Sequence, residues 1–100
     1  MTIAEFQRLI ADIYGERDAA RGLHKTFAWF IEEVGELARS LLDDDEQARL
    51  EEFGDVLAWL TTTATLTGVD LEQAAGRYAS GCPKCGDTPC SCPGDREAVS

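Results

Sequence analysis

Basic charge is scarce in this 100-residue chain. Nine Lys and Arg stand against nineteen Asp and Glu, a formal net charge of −10. An acidic surface does not attract a phosphate backbone or an anionic bilayer, so neither a nucleic-acid polymer nor a membrane is expected as partner. A free nucleotide bound through a metal is not excluded. Long apolar runs are also missing: nothing approaches the roughly 20 residues needed to span a bilayer. Met1 leads straight into an amphipathic pattern with Glu5, without a basic, signal-like start, and the expected location is the cytoplasm. No G-x-x-x-x-G-K-[ST] loop is present to cradle phosphates. Cysteine is absent until residue 82, and all four lie between Cys82 and Cys92. That clustering argues for a local metal site over a disulfide framework joining distant elements. No His accompanies these thiols, so a cysteine nucleophile is not expected.

What is present reads as helix. Ile3, Phe6, Leu9, Ile10, Ile13 and Tyr14 recur at three and four over residues 2 to 20. Thr2 and Glu5 form a capping box, and Gly22 is the expected stop. A second helix is expected over 24 to 42, with an apolar stripe of Phe27, Phe30, Ile31, Val34, Leu37, Ala38, Leu41 and Leu42. Asp43, Asp44 and Asp45 break the pattern, since aspartates favour turns and N-caps. A third helix is expected over 46 to 67, with Leu50, Phe53, Val56, Leu57, Leu60 and Ala64 on one stripe. Its threonine-rich end has lowered helix propensity, and Gly68 stops it. Asp70 and Gln73 open a short fourth helix over 71 to 80, with Leu71, Ala74, Ala75 and Tyr78 facing inward. The fold expected is all-α, a four-helix bundle. About eighty residues make a marginal core, so oligomerisation is expected to complete it. Residues 1–80 form the helical domain, 81–94 a Cys-rich tail, and 95–100 a frayed, disordered end.

Two acidic clusters interrupt the helical patterns. Glu32-Glu33-x-x-Glu36 is followed by Glu51-Glu52-x-x-Asp55. By helical geometry Glu33 and Glu36 share a sector with Trp29, and Glu52 and Asp55 share one with Trp59. A short connection makes the two helices antiparallel neighbours. If these sectors meet, four carboxylates converge, which is costly without a cation or raised pKa values. Carboxylate oxygens without His or Cys favour Mg²⁺ or Mn²⁺. Taken singly, each cluster could be only a solvated helix face. Both clusters lying beside a Trp on consecutive helices favours a site.

Phe30-Ile-Glu-Glu-Val-Gly-Glu-Leu-Ala38 and Glu51-Glu-Phe-Gly-Asp-Val-Leu-Ala58 resemble the signature of MazG-like nucleotide pyrophosphohydrolases. These belong to the all-α NTP pyrophosphatase superfamily, with the dimeric dUTPases and dCTP pyrophosphatases. The resemblance covers about residues 1 to 80. It implies an oligomeric helical fold, a homodimer or homotetramer. It further implies Mg²⁺-dependent cleavage of a nucleoside triphosphate between the α- and β-phosphates, giving monophosphate and pyrophosphate. On it, Glu33, Glu36, Glu52 and Asp55 are the expected metal ligands, and Glu32 the residue that positions or deprotonates the attacking water. Glu51 has no assigned role.

Trp29 and Trp59 would lie at one end of the carboxylate cluster, where a base could stack; the alternative is that they are core or interface aromatics. His24 and Lys25 open the second helix near that end and are candidates for base or phosphate, or merely exposed. Arg77 could reach the phosphates from the fourth helix, although the family leads one to expect a Lys there. Cys82-x-x-Cys85 and Cys90-x-Cys92 suggest a tetrahedral Zn²⁺ site; two disulfides or free thiols are the alternatives. A non-catalytic helical interaction module, with the tail as docking element, is the rival to the enzyme.

Overall fold

The computed structural model describes residues 1–94, and every regular element among them is helical. Helix α1 spans Ile3–Arg21, α2 Leu23–Ser40, α3 Glu46–Leu66 and α4 Leu71–Ala75, followed by a 3₁₀ turn at Gly76–Tyr78. The expectation of a disordered end at 95–100 lies outside the described residues.

Local chemistry fixes most of these boundaries. Thr2 Oγ1 accepts from the Glu5 amide at 3.0 Å, and Glu5 Oε1 accepts from the Thr2 amide at 2.8 Å, a complete capping box. Gly22, at φ 85°, ends α1 and starts α2 in a single residue: its amide donates to Asp18 and its carbonyl accepts from Thr26. Asp45 caps α3 through the Ala48 amide at 3.1 Å. Gly68, at φ 76°, closes α3 with paired bonds, its own amide to the Thr65 carbonyl and the Val69 amide to the Ala64 carbonyl. This is the 5→2 and 6→1 pattern that a left-handed residue permits.

The threonine run stays helical to Leu66 because its hydroxyls turn back onto the helix. Thr61, Thr63, Thr65 and Thr67 each donate to the carbonyl four residues earlier, at 2.6 to 3.1 Å. Their polar atoms are thereby satisfied without leaving the helix. Thr62 instead reaches across to Asp18 Oδ2 at 3.0 Å, in buried surroundings.

The fourth helix is shorter than the sequence predicts. It has five residues and tightens into the 3₁₀ turn at Gly76, a residue with poor helix propensity. Ala74, Ala75 and Tyr78 are exposed, and only Leu71 is half-buried. Gln7 of α1 holds the α3–α4 corner: its Nε2 donates to the Val69 carbonyl and Thr65 Oγ1, and its Oε1 accepts from the Leu71 amide.

The seam between α2 and α3 also differs from expectation. Inward positions on α2 are Thr26, Phe30, Glu33, Leu37 and Ser40, a three-four alternation; on α3 they include Ala48, Glu52, Val56, Trp59 and Thr62. The stripe expected as core mostly faces outward, with Phe27 51%, Ile31 52%, Phe53 54% and Leu50 67% exposed. Periodicity identifies stripes but not which stripe meets a neighbour. The α2–α3 hairpin closes on the one that carries the carboxylates.

Asp18 crosses all three long helices. It bonds Thr62 of α3 and pairs at 3.0 Å with Arg21, whose Nη1 donates to Thr26 of α2 at 3.0 Å. Truncating Asp18→Ala strands the buried Thr62 hydroxyl and leaves Arg21 without its carboxylate. The expected loss is roughly 1–3 kcal/mol by urea unfolding, against near neutrality for the exposed Asp12→Ala. Equal losses in the two variants would count against this role for Asp18.

Candidate metal centre and adjoining cleft

The antiparallel α2–α3 pair brings part of the acidic set together. Glu33, Glu52 and Asp55 each offer a carboxylate oxygen, and these atoms lie within 4.8 Å of one another. Glu33 and Glu52 are half-buried in the seam, while Asp55 is exposed. Glu36 and Glu32 are exposed on α2 and flank the trio without joining it. Both raise the Glu33 pKa by repulsion, and Glu36 also raises that of Glu52. Glu51 faces outward and accepts from Gln47 at 3.4 Å.

The electrostatics are those of an unneutralised site. Burial is the main cause pushing the Glu33 carboxyl up, followed by repulsion from Asp55 and Glu52. Glu52 is pushed up by the same two kinds of cause, burial first and then Asp55. Its Oε2 is buried and has no hydrogen-bond partner among the described residues. Such an atom costs free energy unless something outside the chain satisfies it. The donor set is all carboxylate oxygen, which fits a hard divalent cation such as Mg²⁺.

At one end of the trio the two tryptophans touch. Trp29 and Trp59 meet edge to face, with centroids 5.7 Å apart and planes at 75°. The Arg21 guanidinium lies 5.0 Å from one ring centroid and 4.9 Å from the other. Lys25 Nζ lies 5.6 Å from the Trp29 ring. A cleft of about 230 Å³ opens here, lined by Tyr14, Arg17, Asp18, Arg21, Trp29, Asp55, Ala58, Trp59 and Thr62. It joins the aromatic pair to Asp55.

The remaining candidates sit elsewhere. His24 is exposed on the first turn of α2 and does not line this cleft. Arg77, in the 3₁₀ turn, rests 5.7 Å from the Tyr78 ring and is not a cleft residue either. The contribution of α1 was not anticipated. Arg17, Asp18 and Arg21, near the end of α1, form a wall of the cleft. The available signal was the Asp18–Arg21 spacing, three apart just before a glycine turn.

A second cluster lies in the tail. The Sγ atoms of Cys82, Cys85, Cys90 and Cys92 are all within 4.8 Å of one another. The Ser91 amide is the chief cause pulling the Cys85 thiol down to about 6, with the Asp87 amide adding to it. Cys92, hydrogen-bonded to Cys90, is pushed up to about 12.

Residues 21–81 match the family model of the MazG nucleotide pyrophosphohydrolase domain. That span contains both acidic clusters and both tryptophans; most of α1 and all four cysteines lie outside it. No curated protein sequence matches the chain.

The raised carboxyls set a direction for stability against pH in the metal-free protein. A carboxyl whose folded pKa lies above its unfolded value binds more protons when folded, so stability is lost as pH rises. For Glu33 and Glu52 the loss starts near the ordinary value of 4.5 and is complete above their raised values. Glu33→Gln should therefore fall less steeply than wild type across this window in urea-unfolding midpoints. Saturating Mg²⁺, which binds the ionised carboxylates, should reverse the wild-type slope so that stability rises with pH; parallel profiles without metal would contradict the raised Glu33 carboxyl.

Proposed function

The chain belongs to the MazG nucleotide pyrophosphohydrolase family, and from that premise we propose that it hydrolyses a nucleoside triphosphate, ribo- or deoxyribo-, between the α- and β-phosphates. The products are a nucleoside monophosphate and pyrophosphate, and the role is cleansing of the nucleotide pool. The observation that carries this reading is the convergence of Glu33, Glu52 and Asp55, one of whose residues, Glu52, also has a buried Oε2 with no partner among the described residues. A cation there is what the donor chemistry calls for.

In this reading Glu33, Glu52 and Asp55 hold Mg²⁺ or Mn²⁺, and Glu36 completes the set from the next turn of α2. When bound, the ion neutralises phosphate charge and favours ionisation of water. Glu32, exposed beside Glu33, takes the proton of the attacking water. The water oxygen bonds to the α-phosphorus, the bond to the α–β bridging oxygen breaks, and pyrophosphate leaves. The base stacks on one ring of the Trp29–Trp59 pair, whose planes lie at 75°, with Arg21 and Lys25 beside their faces. His24, outside the cleft lining, meets base or phosphate only if the substrate extends past the cleft to the first turn of α2. Arg77 reaches phosphate only if substrate or another subunit extends to the 3₁₀ turn.

The outward stripe of Phe27, Ile31, Phe53 and Leu57 supports a homodimer or homotetramer in which this face is covered, with residues 1–80 as the helical domain and 81–94 as a separate appendage. No described helix is long and apolar enough to cross a membrane, in keeping with a cytoplasmic role on free nucleotides.

Glu52→Gln and Asp55→Asn should each lower kcat/KM for the best nucleoside triphosphate by about 10²-fold or more, with helical circular dichroism unchanged. Pyrophosphate release across a panel of nucleoside and deoxynucleoside triphosphates reads this out. No Mg²⁺-dependent turnover on any member would overturn the enzyme reading. The double variant Phe53→Glu with Leu57→Glu should shift the mass in light scattering to that of one chain. A wild-type protein already monomeric at working concentration would remove the oligomer.

A further inference from the structure

The cysteine cluster begins at residue 82, just beyond the family match, and the hydrolase reading makes no use of it. Its backbone is shaped for holding sulfur. The Cys82 carbonyl accepts from the Gly86 amide at 2.7 Å, and the Cys82 amide donates to the Asp87 carbonyl at 3.1 Å. This tight loop sets Cys82 and Cys85 on one side, and it turns at Gly86 with φ 79°. Gly81, at φ 102°, enters the loop where a Cβ would stand 2.7 Å from Thr88 Oγ1. The second pair returns to the first. The Ser91 amide donates to Cys85 Sγ and the Cys92 amide to Cys90 Sγ, both at 3.3 Å.

The sulfur spacings discriminate between bonding modes. Cys82 and Cys92 have Sγ atoms 3.8 Å apart, and Cys85 and Cys90 3.9 Å. A disulfide requires about 2.05 Å. A tetrahedron with metal–sulfur bonds of about 2.3 Å has sulfur–sulfur edges of about 3.8 Å. The nearest carboxylate of the loop, Asp87, is engaged by the Ser91 hydroxyl, and no His belongs to the cluster. Four soft donors with tetrahedral edges select zinc or iron. Cys90 is exposed, which leaves an iron site open to oxidation and favours the redox-inert ion.

We infer that Cys82, Cys85, Cys90 and Cys92 bind one Zn²⁺ in a closed tetrathiolate site whose role is structural. The segment has no helix and no apolar core of its own, so the metal supplies the cross-link that gives it a shape. The site is separate from the carboxylate centre in donor type and in element, and it does not depend on the proposed hydrolysis.

The test uses the full chain, purified without chelator. Elemental analysis should give about one zinc per chain and no stoichiometric iron, and a mercurial should release the zinc as about four thiols titrate. Replacement by Co²⁺ should give the intense sulfur-to-cobalt absorption and tetrahedral ligand-field bands of a tetrathiolate. In the double variant Cys85→Ser with Cys90→Ser, bound zinc should fall about tenfold or more while helical circular dichroism persists. Two disulfides with little zinc, four thiols that react at once in the native protein, or stoichiometric iron would each overturn the assignment.

Discussion

Mutual repulsion of carboxylates in a half-desolvated seam is the constraint from which the rest of the molecule follows. Glu33 and Glu52 occupy inward positions of the α2–α3 hairpin where a soluble bundle would place leucine. Both carboxyls are pushed up, burial being the leading cause, and one oxygen of Glu52 has no partner among the described residues. A seam built this way gains little from apolar burial. Apolar Phe30, Leu37, Val56 and Trp59 share the seam, and its polar members are individually satisfied: Thr26 accepts from Arg21, and Ser40 donates to the Leu37 carbonyl at 2.7 Å. Most of the remaining apolar stripe, Phe27, Ile31, Leu50, Phe53 and Leu57 among it, stands on the outer face instead. One choice of register thus accounts for both an unneutralised centre and an uncovered hydrophobic surface.

Much of the fold was legible in the sequence because its boundaries are set by local chemistry. The Thr2–Glu5 box, the Gly22 and Gly68 stops and the Asp45 cap involve groups within a few residues of one another. Their reading needs no tertiary information. The family was legible in the two acidic motifs, and the match over residues 21–81 agrees with it. The assignment of the core was not legible. The 3.6 period gives α2 two candidate faces, and which one meets α3 depends on the hairpin's geometry, a property of two helices and a turn together. The fourth helix was overextended because apolar spacing continues to Tyr78 although Gly76 has already tightened the backbone.

At the candidate site the approach of Glu33 to Glu52 and Asp55 was readable, while Glu36, expected with them, stays outside the trio, and the part from α1 was not readable. Trp29 and Trp59 were expected to come together, and they meet edge to face. Arg21 carries no motif, yet it faces both rings and ties them through Asp18 and Thr62 to the far helix. Its importance comes from position alone: it is the last residue of α1 before the chain reverses into α2. The tail shows the opposite case. Its cysteine spacing was legible, while the amides aimed at sulfur emerge only from the folded loop.

Gly22 joins two long helices with no intervening loop, and this makes it a fulcrum. Helix α1 is a rod of nineteen residues, about 28 Å long at 1.5 Å per residue. A rotation of about 10° at the pivot would swing its far end by about 5 Å, but the Arg21 guanidinium by only about 1 Å, by the same helical dimensions. Any such rotation would therefore be geared down several-fold before it reached the tryptophans. The Gln7 clamp at the α3–α4 corner limits the long arm of this lever, and the short arm holds the cation over the aromatic pair.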